Sequence, residues 1–174
     1  SFALATGLLF GRFSKPNAKF AFSENILLSP YKGDIKGLML RVANKRNSTL
    51  LETEAEVILT YFYKDDKGEE KRGFHRLELE ISDIKMFPSS WTIVHPVNEK
   101  SPLYGFNESS FDDYRFEIIV MLKAFDETYG QMVYTRTSYT NKELVYRAKF
   151  DKTFTVNSEG KIELNLNTLG NYSL

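Results

Sequence analysis

Glu52-Thr53-Glu54-Ala55-Glu56-Val57-Ile58-Leu59-Thr60-Tyr61-Phe62-Tyr63-Lys64 carries the pattern that decides the fold. Polar and apolar residues alternate along it, and its second half is β-branched and aromatic, which predicts a long strand with one wet face. Alternation places Glu52, Glu54 and Glu56 on one side. Leu51, Ala55, Val57 and Leu59 then take the other, the expected core side. Asp65-Asp66-Lys67-Gly68 ends the strand in a turn.

The same signals continue outward in both directions. Upstream, 19–28 is rich in Phe and Leu and predicts a strand, Ser29-Pro30-Tyr31-Lys32-Gly33-Asp34 a turn, and 37–42 a second strand closed by a polar run. Downstream, 74–84 alternates again, and 91–97 is a short apolar strand stopped around Pro96. Residues 107–113 are the best helical candidate, one short turn capped by Asn107 or Ser109. Further strands are expected over 116–125, 131–140, 145–150, 154–156 and 161–166, the last two joined by Asn157-Ser158-Glu159-Gly160. Strands at this spacing, without a long helical period between them, predict an all-β chain folded as an antiparallel sandwich or barrel.

Composition narrows the function. A chain of 174 residues with 42% hydrophobic content is enough for one domain with a real core, and no repeat or linker divides it. Zero net charge lacks the electrostatic footprint of a nucleic-acid binder. There is no cysteine, hence no disulfide framework and no thiolate ligand or nucleophile. Two histidines, His75 and His95, are too few and too far apart to nominate a metal cluster. His95, among apolar neighbours in Trp91-Thr92-Ile93-Val94-His95-Pro96, reads as a hydrogen-bonded core residue, and His75 as a surface one. No nucleophile motif or phosphate loop is present, so nothing supports an enzyme and no cofactor is expected.

Two features remain open on the residues alone. Phe2-Ala3-Leu4-Ala5-Thr6-Gly7-Leu8-Leu9-Phe10 is apolar but far short of the about 20 residues that cross a bilayer, so it is either a buried segment or the end of a longer helix. Arg12 and Lys15 behind it suit a membrane–water boundary, and Pro16 stops any helix. The row Glu52, Glu54, Glu56 is either an ordinary solvated face or a surface on which cations collect.

Several blocks in order resemble one family, the inward-rectifier potassium channels. They are Ala5-Thr6-Gly7-Leu8-Leu9-Phe10-Gly11-Arg12-Phe13-Ser14-Lys15-Pro16; Phe22-Ser23-Glu24-Asn25; Leu38-Met39-Leu40-Arg41-Val42-Ala43-Asn44-Lys45-Arg46; Trp91-Thr92-Ile93-Val94-His95; Asn98-Glu99-Lys100-Ser101-Pro102-Leu103-Tyr104; Phe116-Glu117-Ile118-Ile119-Val120-Met121-Leu122; and Thr135-Arg136-Thr137-Ser138-Tyr139. The resemblance implies an immunoglobulin-like β-sandwich over 17–174, on the cytoplasmic side of the cell membrane, with 1–16 the end of an inner pore helix and its linker. It implies a homotetramer joined to its own pore domain, whose central conduit is lined by Glu52 with Glu54 and Glu56, and by Glu127. Potassium would be the permeant ion, and magnesium or polyamines possible blockers. Gly130, Gln131 and Met132 fall at the family's constriction loop. Arg12, Lys15 and Lys19 match positions that meet anionic lipid head groups, although Asn17-Ala18 interrupt the basic cluster, as in a prokaryotic member. A stand-alone immunoglobulin-like binding module for a protein partner is the alternative. It would bury its N-terminus and work as a monomer.

Overall fold

The computed structural model describes residues 20–112 and 114–174. In chain order the elements are β1 (Phe20–Phe22), β2 (Ile26–Lys32), β3 (Ile35–Asn44), β4 (Leu50–Lys64), β5 (Glu70–Leu77), β6 (Asp83–Met86), β7 (Ser90–Val97), α1 (Glu108–Asp112), β8 (Phe116–Asp126), β9 (Gln131–Tyr139), β10 (Leu144–Tyr146), β11 (Lys149–Phe150), β12 (Phe154–Val156), β13 (Ile162–Leu164) and β14 (Tyr172–Ser173).

Two five-stranded sheets face each other, giving the expected β-sandwich. In the first, β3 is central, with β7 along one side and β1 and β2 end to end along the other. β10 adds to β2 in parallel, the one pairing among the described residues that departs from the antiparallel expectation. In the second, β4 lies between β8 on one side and β5 and β6 on the other, and β9 extends β8. Inward positions of both sheets are apolar and close the core, with Leu38, Leu40 and Ile93 in one layer and Val57, Ile118 and Val120 in the other. Each such fully buried side chain contributes about 1.5–3 kcal/mol by leaving water.

Tyr139 ties the layers. Its ring is buried on β9, and its hydroxyl donates to the Ser23 carbonyl at 2.8 Å in the gap between β1 and β2. Burial pushes this phenol up to about 12, so it remains a donor at every physiological pH.

Several boundaries differ from expectation for local reasons. The strand expected over 19–28 is broken at Ser23, whose side chain accepts the Arg41 N–H at 3.0 Å and donates to the Asn25 carbonyl at 2.8 Å. Residues 29–32 are strand rather than turn, and Gly33, at φ 57, and Asp34 make the reversal alone. Pro30 is tolerated because β10 covers β2 only as far as Leu28. The expected 74–84 strand is two strands. Between them the chain crosses to the other sheet, where the Glu80 N–H donates to the Val94 carbonyl at 2.9 Å. Residues 145–150 divide at Arg147, which sits at φ 55. The helix is capped by Asn107, whose side chain accepts the Ser110 N–H at 3.1 Å.

Candidate functional site

The outer face of the second sheet holds the residues singled out above. β4 carries one residue more than β8 here: Leu51 lies opposite Phe125, yet Glu54 lies opposite Lys123. That extra residue makes a bulge centred on Glu52, whose backbone takes the left-handed φ of 48. The bulge reverses the alternation upstream of it. Leu51 therefore belongs to the outer face, correcting its expected core position, and Leu50 and Thr53 are buried instead. Glu54 is outward and Glu56 half-buried, as the alternation predicts, and Glu52 projects from the bulge between Leu51 and Thr53.

None of the three carboxylates stands alone. Lys85 Nζ lies 2.9 Å from Glu52 Oε2, Lys123 Nζ 3.0 Å from Glu54 Oε2, and Arg76 Nε 3.8 Å from Glu56 Oε1. The hydrogen bonds that Lys85 and Lys123 donate to the Glu52 and Glu54 carboxylates hold the two ammonium groups above the ordinary lysine range. All three pairs are exposed, so they contribute little to stability, and each cation offsets the charge of the carboxylate it meets. Register orders the surrounding surface. Asp83, Glu54, Lys123 and Tyr134 form one row across β6, β4, β8 and β9. Met86, Leu51, Phe125 and Met132 form an apolar row beside it.

Glu127 sits at the end of this sheet, in the turn of residues 127–130 closed by the Asp126–Gln131 pair. Its N–H donates to the Thr49 carbonyl at 3.1 Å, which docks the turn on the start of β4. Its side chain is exposed and has no ion-pair partner among the described residues. The buried Asp126 carboxylate accepts the Tyr129 N–H at 3.2 Å, and Gly130 supplies the left-handed φ of 61 that the reversal requires. Gln131 and Met132 stand on β9 rather than in a loop, both exposed. Arg12, Lys15 and Lys19, with the whole 1–16 stub, lie outside the described residues.

Sequence reasoning named the carboxylates but not their cations. Lys85, Lys123 and Arg76 come from three different strands, and only the registers of β4 with its neighbours bring them within reach of Glu52, Glu54 and Glu56: Lys123 lies opposite Glu54, and Arg76 opposite Ile58, two residues on from Glu56. His95 is the core residue expected. Its Nδ1–H donates to the Glu78 carbonyl at 2.6 Å, so Nε2 accepts from the Ser101 hydroxyl at 2.7 Å. Burial lowers its pKa. His75 is exposed and stacks on Tyr61 at the rim of an aromatic-lined cavity of about 330 Å³ under α1. Among the described residues no group of three His, Cys, Asp or Glu could hold a metal ion, and no helix is long and apolar enough to cross a membrane.

Comparison with known proteins gives a consistent picture. A family model described as the inward rectifier potassium channel C-terminal domain matches residues 20–173. The chain is 30% identical over 164 residues to the inward rectifier potassium channel Kirbac3.1 of Paramagnetospirillum magnetotacticum, covering 94% of this chain and 55% of that protein. It is 31% identical over 156 residues to the human G protein-activated inward rectifier potassium channel 1, covering 85% of this chain and 31% of that one. Against the mouse G protein-activated inward rectifier potassium channel 4 the identity is 27% over 173 residues, covering 95% and 41%. The chain thus spans 55% of the bacterial relative and 31% of the human one.

Proposed function

The chain belongs to the inward-rectifier potassium channel C-terminal domain family, and from that premise we propose that it is the cytoplasmic gating and conduit domain of a potassium channel. The family is one of ion channels, not enzymes. Four copies would surround an axis that continues the pore, with the outer face of the β4–β8–β9 sheet turned toward it. The observation that carries this is the exposed Glu127 turn at the sheet's end, beside an outer face on which Glu54 and Glu56 stand and from whose bulge Glu52 projects. Carboxylates repeated four-fold form rings, and rings of one sign raise the local concentration of the opposite ion. Potassium is the permeant ion of this proposal, and internal magnesium or polyamines its blockers.

The turn of residues 127–130, with Gln131 and Met132 following on β9, would form the narrowest part of the conduit. Gly130 lets the backbone reverse sharply, and the exposed Met132 offers an apolar side chain to close against its copies. Arg12, Lys15 and Lys19 would meet anionic head groups where the chain leaves the membrane. Gating would then be a two-state displacement of the domain against the pore, biased by cytoplasmic or lipid signals. The family match over 20–173 favours this channel role over a stand-alone binding module.

The test is block of the full-length channel. Glu52→Gln combined with Glu127→Gln should weaken block by internal magnesium or spermine in patch recordings. Unchanged block, at unchanged voltage dependence, would take both residues out of the conduit.

A further inference from the structure

We infer that Lys123 sets how strongly the conduit surface holds multivalent cations, by keeping the carboxylate row of β4 charge-compensated from the middle of the sheet. The inference rests on the conduit proposed above and deepens it. Lys123 is on β8 directly opposite Glu54, and its Nζ lies 3.0 Å from Glu54 Oε2.

Its setting differs from that of the other two cations. Lys85 and Arg76 come from β6 and β5, on the far side of β4 from β8, with side chains 80% and 72% exposed. Lys123 is 42% exposed and comes from a strand paired on both sides, between β4 and β9. Its outward neighbours along β8 are Met121 and Phe125, and Tyr134 lies opposite it on β9. The stem is thus flanked by apolar and aromatic positions, and the ammonium is held at Glu54.

The consequence follows from valence. A monovalent ion needs only a mildly negative path. A magnesium ion or polyamine, carrying more charge, responds more steeply to each uncompensated carboxylate near its path. Glu54 is opposite Asp83 on β6 and next to the Glu52 bulge, where Glu52 is held by Lys85, so Glu54 and Asp83 are the carboxylates whose pull on such an ion Lys123 governs. Lys123 places a positive charge beside that group in every subunit, and a four-fold ring repeats it. Glu127, without an ion-pair partner among the described residues, is then left as the principal attractive group, and multivalent block should be weak.

The experiment records block of the full-length channel by internal magnesium and by spermine. Lys123→Gln should strengthen block about tenfold, the scale on which focused charge changes local ion concentration. Lys123→Thr, a second neutral residue suited to a strand, should do the same. Lys123→Arg should leave block as in the wild type, and Glu54→Gln, which leaves the ammonium unpaired, should weaken it further. If neither neutral variant changes block while Glu52→Gln with Glu127→Gln does, the conduit stands and Lys123 has no part in its selectivity. If no variant of the set changes block, the conduit assignment fails and this inference with it.

Discussion

His95 shows what a single buried ring does to the pH dependence of this domain. Its two nitrogens are fully used: Nδ1–H donates to the Glu78 carbonyl and Nε2 accepts from Ser101, whose Oγ in turn accepts the Leu103 N–H at 3.1 Å. Protonating Nε2 would place a charge in a buried site and remove the acceptor that the Ser101 hydroxyl needs. Burial accordingly lowers the pKa from its ordinary 6.5. The unfolded chain then binds the proton more readily than the folded one between the folded value and about 6.5. The stability owed to neutral His95 is complete above about pH 6.5 and is lost as pH falls through the folded value. Urea unfolding at pH 7.5 and pH 5.5 should therefore show a lower midpoint in acid, with a smaller fall in His95→Gln. An equal fall in both proteins would assign the acid sensitivity to other groups.

At the scale of elements, two left-handed backbone positions of the second sheet lie on its outer face or at its end, beside the candidate site. The bulge at Glu52 reverses the parity of β4, and the turn at Gly130 reverses the chain between β8 and β9. Both rest on left-handed backbone, which costs an L-residue roughly 1–2 kcal/mol. A Cβ on Gly130 would meet nothing within 4 Å, so substitution there tests the backbone alone. Gly130→Ala should lower the unfolding free energy by about 1 kcal/mol with no change in denaturant slope. A neutral result would mean that the turn relaxes to another geometry, and the hairpin would then not hold Met132 in one place.

For the whole molecule, the outstanding property is assembly. Zero net charge leaves no long-range repulsion between copies. The hairpin of β12 and β13 exposes Phe154, Val156 and Ile162, each at least half open to solvent. Exposed apolar surface of this kind marks interaction sites. Light scattering across a concentration series should give a tetramer or a monomer–tetramer equilibrium for this chain. A strict monomer at high concentration would leave the sandwich intact and count against assembly of this chain by itself, in favour of the stand-alone binding module or of assembly that needs a pore domain.

The chain of 174 residues determined by itself that this is an all-β fold, sandwich or barrel, because period-two alternation and turn residues are local signals that neighbouring residues are enough to express. The long strand, its Asp-rich turn and the buried His95 were legible for that reason. So were the family blocks, which are linear patterns. Local chemistry could not place the bulge: nothing in Leu51-Glu52-Thr53 distinguishes a regular strand from one that spends an extra residue against β8. Nor could it show that Glu52, Glu54 and Glu56 are met by Lys85, Lys123 and Arg76, which lie 33, 69 and 20 positions further along the chain. Register is a property of two strands at once, fixed by which faces both must bury, so the charge carried by this surface was decided only when the sheet formed.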